Sequence, residues 1–307
     1  MNDTGAGDRP DATGRRIHTF THDSLVFDVL DDGPLDGPAV VLLHGFPERA
    51  SHWHHVSAIL HAHGLRTLAP DQRGYSPGAR PRGRLAYRIS RLVEDTRALI
   101  ETYGGPVHLV GHDWGAAVAW AIAAAHPDVV RTLTTVSVPH PAAFTRSLTS
   151  SDQARRSWYM LAFQPPLVAE LLARARPDAT GRFLRRAGMG QEEVERCRRE
   201  IVEYGALPGA LGWYRALPFS VGSSTGRVHV PTTHVWSDRD SALARRGAEL
   251  TEEFVRAPYE LRVLRDVDHW VPTHAPDQLA DAVLSRIASV PAQAPSRPPP
   301  GMAGWSG

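Results

Sequence analysis

The feature that most constrains the fold of this chain is the pentapeptide Gly111-His112-Asp113-Trp114-Gly115. It follows the largely apolar run 107–110 and precedes residues 116–125, which are all Ala, Val, Ile or Trp. A buried strand, a turn pinched by two glycines and a helix, in this order, are the setting of a nucleophile elbow. The central residue of an elbow is usually serine, and a carboxylate there favours attack on a saturated carbon, which gives an alkyl ester. The alternative is a plain glycine-rich turn in which Asp113 only caps the helix.

The composition is that of one large domain, or of a core with an insertion, because 307 residues can bury a sizeable core. The formal charge of +1 creates no global field that would attract nucleic acid or a membrane surface. The single cysteine, Cys197, excludes a disulfide within the chain. The polar N-terminus lacks the apolar core of a signal peptide, and the longest apolar run, 116–125, is too short to span a bilayer. We therefore expect a soluble cytoplasmic protein that binds neither nucleic acid nor membranes.

Patterns typical of strands and helices alternate along most of the chain. The strand patterns occupy 18–20, 25–29, 39–43, 65–69, 107–110, 133–138, 230–236 and 259–264. The run 39–43 is apolar throughout, as in strands that are buried on both faces of a parallel sheet. This alternation predicts the α/β class, with a mostly parallel, doubly wound sheet.

The alternation stops between residues 139 and 228, where the patterns are helical. These helical patterns cover 155–163, 167–174, 190–204 and 209–215. We interpret 139–228 as a helical lid inserted into one α/β core, whose two parts are 17–138 and 229–290. Residues 1–16 are polar, and 291–307 are rich in Pro, Gly, Ser and Ala, so we expect a flexible N-terminal segment and a disordered tail.

An elbow nucleophile needs a histidine base and an orienting acid, which in this architecture follow it in the order acid, histidine. Asp240 comes just after the strand pattern 230–236, and His269 follows the last strand pattern. Both would lie at carboxyl ends of parallel strands, where open α/β sheets bind their ligands. We therefore predict that Asp240 orients His269. Asp238 is the rival for the acid, and Asp268 is a weaker one.

Two backbone N–H groups are expected to stabilise an oxyanion beside the nucleophile. One belongs to Trp114, the residue after the nucleophile. The other comes from the loop His44-Gly45-Phe46-Pro47, in which Phe46 is the candidate donor. Pro47 predicts a tight turn in this loop, and its peptide bond can be cis or trans.

The segment Gly74-Tyr75-Ser76-Pro77-Gly78 also matches the pattern of a serine elbow. Pro77 has no N–H, however, although the residue after the nucleophile must donate one to the oxyanion. No apolar helix follows, since 79–84 is mostly Arg, Pro and Gly. We therefore reject Ser76 as a nucleophile.

Four motifs give the chain a resemblance to a known family. They are His44-Gly45-Phe46-Pro47-Glu48, Asp71-Gln72-Arg73-Gly74-Tyr75-Ser76, Gly111-His112-Asp113-Trp114-Gly115 and Asp268-His269-Trp270. Through these motifs, residues 15–290 resemble an α/β-hydrolase of the soluble epoxide hydrolase family, lid included. The first and third motifs are shared in looser form with haloalkane dehalogenases, so they indicate the superfamily better than the substrate.

The resemblance implies that two lid tyrosines open an epoxide ring. Segments 157–165 and 212–215 are similar to the two segments that carry these tyrosines in the family, and the matching residues are Tyr159 and Tyr214. A phenol can hydrogen-bond the epoxide oxygen and then protonate it. The implied reaction converts an epoxide and water to a vicinal diol through an ester on Asp113. Water activated by His269 and Asp240 hydrolyses that ester.

The implied substrate is a small hydrophobic epoxide bound in an apolar pocket. The candidate lining residues are Pro47, Trp158, Phe163, Trp213 and Trp270. We expect no cofactor and no metal, because epoxide strain supplies driving force and the histidines between 51 and 63 have no carboxylate or cysteine at ligand spacing. A monomer and a homodimer are both compatible with the sequence.

Other functions remain as alternatives. A haloalkane or haloacid dehalogenase would use the same nucleophile but must bind halide. Haloalkane dehalogenases often have Asn or Gln at the position of Phe46. Trp114 could still face a halide. Haloacetate dehalogenases hold the substrate carboxylate with arginines just after the nucleophile, where this chain has Trp114 and 116–118. A non-catalytic α/β-hydrolase that binds a ligand would have no need of His269. A serine esterase would need an elbow serine, which the chain lacks.

Overall fold

The computed structural model describes residues 15–220 and 225–291. Eight strands form one sheet in the order β1-β2-β4-β3-β5-β6-β7-β8. The strands are β1 (Thr19–His22), β2 (Leu25–Asp32), β3 (Ala39–Leu43), β4 (Arg66–Pro70), β5 (Val107–His112), β6 (Val130–Val136), β7 (Thr232–Ser237) and β8 (Tyr259–Leu264). β1 and β2 form an antiparallel hairpin, and β2 pairs antiparallel with β4. The six strands from β4 across the sheet to β8, which include β3, pair in parallel. The predicted α/β class and mostly parallel sheet are confirmed.

The central strands are buried because helices cover both faces of the sheet. All residues of β3, β4, β5 and β7 are buried. One face packs against α2 (Ile89–Tyr103) and α3 (Trp114–Ala125) through a large apolar cluster. The other face packs against α1 (His54–Ala62) and α13 (Pro276–Ala288) through a second cluster. Such a sheet brings the carboxyl ends of β3, β5, β7 and β8 to one edge, where the loops can meet.

Among the residues described between β6 and β7, the regular elements are helices, so the predicted helical insertion is present. They are α4 (Pro141–Ser150), α5 (Gln153–Arg156), α6 (Trp158–Ala162), α7 (Val168–Ala175), α8 (Pro177–Arg186), α9 (Gln191–Cys197) and α10 (Leu207–Ala216). α4 and α8 were not predicted, and the pattern 155–163 forms two short helices instead of one. The sequence pattern does not indicate α8, because Arg residues and Pro177 obscure its narrow apolar stripe. The boundaries of the lid and the two core parts stay a prediction.

Two short helices and the terminal segments complete the description. α11 (Arg245–Leu250) lies between β7 and β8, and α12 (Val271–His274) precedes α13. None of the helices within 15–220 and 225–291 is long and apolar enough to cross a membrane. The segments predicted to be flexible or disordered fall almost entirely on residues 1–14 and 292–307, which lie outside the described residues.

Candidate active site

Asp113 lies in a strained turn between β5 and α3. Its backbone has φ 52° and ψ −121°, a conformation that L-residues with a side chain rarely adopt. A Cβ on Gly115 would lie 2.0 Å from the carbonyl oxygen of Leu43, and one on Gly111 would lie 2.3 Å from the carbonyl oxygen of Gly115. The two glycines are therefore required for the close approach of strand and helix. This geometry is that of the nucleophile elbow that the sequence predicts.

The structure brings the predicted base and acid to this turn. His269 Nδ1 lies 2.8 Å from Asp240 Oδ2, and His269 Nε2 lies 3.7 Å from Asp113 Oδ2. The other carboxylate oxygen of Asp240 accepts hydrogen bonds from the N–H groups of Ala242 and Leu243, at 2.8 and 2.9 Å. These two bonds fix the carboxylate, which in turn fixes the tautomer and orientation of His269.

The two rival carboxylates face other partners. Asp238 Oδ1 accepts the N–H of Asp266 at 2.8 Å, and its Oδ2 lies 3.7 Å from Arg265. Asp268 Oδ1 lies 2.8 Å from His274 Nδ1. The carboxylate that contacts the ring of His269 is therefore the one of Asp240, as the position of the loop predicts.

The expected oxyanion donors also converge on Asp113. The N–H of Phe46 donates to Asp113 Oδ1 at 2.8 Å. The backbone N–H of Trp114 also donates to the carboxylate of Asp113, and this bond opposes the rise in pKa that burial causes. Gly45 makes room for this contact, since a Cβ there would lie 2.4 Å from Asp113 Oδ1. The peptide bond between Phe46 and Pro47 is cis. Both N–H groups thus contact the carboxylate of the nucleophile.

Charges inside the site shift the titration of all three residues. Burial raises the pKa of Asp113, although the positive charge of His269 opposes this effect. Burial also acts on Asp240, but the charge and hydrogen bond of His269 outweigh it, and the pKa of Asp240 is lowered. Burial alone would lower the pKa of His269, whereas Asp240 and then Asp113 raise it to about 9. The two carboxylates thus favour the imidazolium form of His269 in the resting site.

Tyr159 and Tyr214 come from α6 and α10 to the same side of the site. Their ring centroids lie 6.0 Å apart, and Tyr214 packs edge-on against Phe46 at 5.2 Å and Trp114 at 5.1 Å. Tyr214 is buried and Tyr159 is partly buried. Burial, and in addition the charge of Asp113, raise the pKa of both hydroxyls, and a side-chain hydrogen bond joins the two. Both phenols therefore stay protonated within the electrostatic reach of the nucleophile.

Of the five side chains predicted to line a pocket, Trp158 and Trp213 differ most in exposure. Trp158 is 59% exposed, so it belongs to the outer surface of α6. Trp213 is 1% exposed, and its indole N–H donates to the carbonyl of Arg73 at 2.7 Å. Its ring packs against Trp114 from behind, with centroids 5.8 Å apart. The assignment of both residues to a substrate pocket stays a prediction.

The other three predicted pocket residues lie next to the catalytic groups. Phe163 packs against Phe46 and Tyr214, with ring centroids 5.5 and 5.1 Å apart. Pro47 is buried beside the oxyanion donor. Trp270 is also buried, and its ring packs edge-on against His269 at 5.1 Å. Phe163 and Pro47 remain candidates for contact with substrate, whereas Trp270 supports the base.

Gln72 and His44 form a buried polar cluster next to the oxyanion loop, for which the sequence predicts no role. Gln72 donates to the carbonyl of His44 at 2.6 Å, and the N–H of Gln72 donates to His44 Nε2 at 3.1 Å. Burial lowers the pKa of His44 to about 4, so the ring is a neutral acceptor. The two residues tie the motif at 44–48 to the motif at 71–76. Their place in these two motifs is the signal that could have suggested a supporting role.

Glu48 and two histidines form a second buried group near the base. Arg196 from α9 donates to both oxygens of Glu48, at 3.0 and 3.2 Å, and burial raises the pKa of Glu48 to about 7. His52 stacks on His112 at 5.2 Å, and His112 Nε2 lies 2.9 Å from the carbonyl of His269. Sequence patterns cannot identify such a group, because it joins segments that are almost 150 residues apart.

No metal site is evident in the part of the chain that the structure describes. Within 15–220 and 225–291, no three His, Cys, Asp or Glu side chains come together in a way that could hold a metal ion. Cys197 is buried, and burial raises the pKa of its thiol.

Comparison with known proteins agrees with this geometry. Residues 40–282 match the model of the Alpha/beta hydrolase family. The AB hydrolase superfamily protein YfhM of Bacillus subtilis is 34% identical over 89% of this chain and 98% of its own length. Epoxide hydrolase 2 of Caenorhabditis elegans is 30% identical over 84% of this chain and 76% of its own. The crystal structure of epoxide hydrolase A from Mycobacterium thermoresistibile superposes with a TM-score of 0.76, at 26% identity, over 90% of this chain and 98% of that one.

The sheet, the elbow and the order of acid and histidine define a hydrolase of the α/β type. The extent of the family match and of the similarity to named epoxide hydrolases places the protein within this class: the chain belongs to the alpha/beta hydrolase family, in the branch that contains the epoxide hydrolases.

Proposed function

We propose that the protein hydrolyses small hydrophobic epoxides to vicinal diols through a covalent ester on Asp113. The observation that carries this proposal is the arrangement around the carboxylate of Asp113. The N–H of Phe46 contacts its Oδ1, and His269 faces its Oδ2. The charge of the carboxylate also acts on the hydroxyls of Tyr159 and Tyr214. A serine hydrolase would have no need of two lid tyrosines near the nucleophile. The similarity to proteins named epoxide hydrolases supports the same reaction.

In the first step, Asp113 Oδ2 attacks one carbon of the epoxide, and the bond from this carbon to the epoxide oxygen breaks. Oδ2 is the attacking atom because Oδ1 is held by the N–H of Phe46. Tyr159 and Tyr214 hydrogen-bond the departing oxygen, and one of them gives it a proton. The raised pKa of both phenols keeps them protonated in the resting site, so both can hydrogen-bond the epoxide oxygen and one can give it a proton.

In the second step, His269 takes a proton from water, and the hydroxide adds to the carbonyl carbon of the ester. Oδ1 becomes the oxyanion, and the N–H groups of Phe46 and Trp114 stabilise it. The intermediate collapses, the bond to the diol oxygen breaks, and the imidazolium of His269 protonates that oxygen. The proton of the restored carboxylic acid returns to the tyrosine that lost one in the first step.

Ester formation itself prepares the base. The imidazole of His269 must be neutral to accept a proton from water, but in the resting site its pKa is about 9, with Asp113 among the causes. The ester of Asp113 carries no charge, so its formation removes one of the two carboxylates that hold the proton on His269. The pKa of His269 therefore falls, and the ring releases its proton to solvent before it acts as the base. It takes up a proton from solvent again once the carboxylate of Asp113 is restored.

The test is a product analysis with wild-type protein and the Asp113→Asn variant. The substrates are an aryl epoxide, an alkyl epoxide and the matching chloroalkane, and both diol and chloride are measured. We expect diol from the epoxides with wild type and none with the variant. Chloride release without diol would assign the site to a dehalogenase, and absence of both products and of a covalent adduct would assign it to a binding protein.

A further inference from the structure

The loop that carries His269 is joined to the lid by an ion cluster that the reaction above does not use. His274 Nδ1 lies 2.8 Å from Asp268 Oδ1, and His274 Nε2 lies 3.1 Å from Glu193 Oε2. Asp268 directly precedes His269, whereas Glu193 belongs to the lid helix α9. Because both ring nitrogens face carboxylate oxygens, both donate, and the ring is an imidazolium.

Backbone donors fix the two carboxylates of this cluster. Asp268 Oδ1 also accepts the N–H of Trp270 at 3.0 Å, and Glu193 Oε2 accepts the N–H of Gly190 at 2.5 Å. The ring of His274 thus connects the tight turn around the catalytic base with the first turn of α9. Charge-assisted hydrogen bonds of this kind are among the stronger ones in proteins.

A second contact joins the same two segments. The indole N–H of Trp270 donates to the carbonyl of Ala187, in the turn before α9, at 2.9 Å. The ring of Trp270 packs edge-on against the ring of His269. A movement of the lid turn is therefore transmitted to the base through both the ion cluster and this tryptophan.

We propose that His274 is a positioning residue, which couples the lid helix α9 to the loop of His269 and so holds the base between Asp240 and the ester on Asp113. The inference rests on the proposed function, because it needs His269 to act as a base. His274 itself touches no reacting atom in this account. Its side chain is 30% exposed, so a substitution there does not open a cavity in the core.

The cluster also sets the charge next to the base. The negative charge of Asp268 contributes to the raised pKa of His269. The positive charge of His274 lies next to Asp268 and should oppose this contribution. The hydrogen bonds that His274 donates to Asp268 and then to Glu193 raise its pKa to about 10, so the ring keeps its charge at neutral pH. Arg196 and Glu48 also interact with Glu193: the positive charge of Arg196 lowers the pKa of Glu193, and burial raises the pKa of Glu48 to about 7. Loss of the His274 charge therefore raises the pKa of His269.

The test compares H274Q and E193Q with the matched control E195Q in the full chain. Glu195 lies on the same helix, is exposed and bonds to Gln191, so its change removes a lid carboxylate outside the cluster. We expect H274Q and E193Q to lower kcat for diol formation by roughly 10-fold to 100-fold with little change in KM, because a small displacement of a catalytic group has effects of this size. H274Q should also shift the acid limb of the kcat profile to higher pH, and E195Q should match wild type.

Backbone amide hydrogen exchange gives a readout that does not depend on activity. The amides of 266–274 and 190–194 should exchange faster in H274Q and E193Q than in wild type and E195Q. Unchanged exchange together with unchanged kcat in both variants would overturn the coupling. If wild type forms no diol, the proposed function fails, and the exchange rates still decide whether His274 couples the two segments.

Discussion

The Nε2 atom of His269 lies 3.7 Å from Oδ2 of Asp113, which is too long for a hydrogen bond. The lone pairs of this oxygen are therefore free to attack an electrophile, while the imidazolium still stabilises the carboxylate at short range. The pairing is electrostatic in the resting protein and ends when the carboxylate becomes an ester. His269 is thus an electrostatic partner of Asp113 in the first step of the proposed reaction and the base in the second.

The first prediction concerns the titration of His269. In wild type the pKa of its imidazole should be near 9, and in Asp113→Asn it should be lower, because one of the charges that raise it is gone. NMR titration of the histidine ring signals measures both values. Asp238→Asn serves as the control and should leave the value unchanged. Equal pKa values in wild type and Asp113→Asn would contradict the proposed coupling.

The same coupling predicts the pH dependence of turnover. A raised pKa means that His269 is protonated below this value, so hydrolysis of the ester slows as the pH falls through the pKa of the ester form. Formation of the ester does not need a neutral imidazole and should persist at lower pH. Rapid mixing at pH 5 should therefore show accumulation of the ester, and a parallel loss of both steps would contradict this order.

The identity of the acid can be tested with two neighbouring carboxylates. Asp240→Asn should lower diol formation by roughly 1,000-fold or more, because the amide no longer holds the productive tautomer of His269. Asp238→Asn should keep nearly full activity, since Asp238 contacts Asp266 and Arg265. Steady-state kinetics with one epoxide compares the two. Equal losses in both variants would remove the assignment to Asp240.

Both lid tyrosines should contribute to the same step, the formation of the ester. Tyr159→Phe and Tyr214→Phe should each slow ester formation by about 10-fold to 100-fold, and the double variant should lose a further factor of about 100, since one phenol can partly replace the other. Single-turnover kinetics with excess enzyme measures this step directly. Trp158→Phe, on the exposed side of α6, is the matched control. If the double variant formed the ester at the wild-type rate, the leaving group would have to be one that needs no proton.

Ser76 offers a prediction about stability instead of catalysis. Its buried hydroxyl donates to the carbonyl of Asp71 and accepts the N–H of Asp28, both at 2.8 Å. Ser76→Ala leaves the N–H unsatisfied, so it should lower the free energy of unfolding by about 1–3 kcal/mol. Urea denaturation measures this change, and kcat should remain within about 2-fold of wild type. A folded variant without activity would reopen the serine alternative.

The sequence predicts much of this site because the residues that carry chemistry occupy places set by the topology. The elbow at Asp113 follows from two glycines between an apolar strand and an apolar helix, and the later order of Asp240 and His269 follows from the strands that precede them. Loops after parallel strands meet at one edge of the sheet, so their meeting does not depend on details of packing.

Other contacts depend on how distant side chains pack, and local patterns do not encode them. Glu193 and His274 are 81 residues apart, and nothing in either segment indicates the other. Trp158 and Trp213 look alike in sequence, yet one faces the outside and the other supports Trp114 from the core. Whether a lid tryptophan is exposed or buried depends on how the lid folds.

The most direct test of the central claim is a single turnover in H₂¹⁸O with enzyme in excess over an epoxide. If Asp113 forms an ester, the oxygen added in the first diol comes from its carboxylate, so the diol contains no ¹⁸O and the peptide with Asp113 gains ¹⁸O. Mass spectrometry of both species provides the result. A first diol that already carries ¹⁸O, with an unlabelled Asp113 peptide, would show direct attack of water on the epoxide and contradict the account.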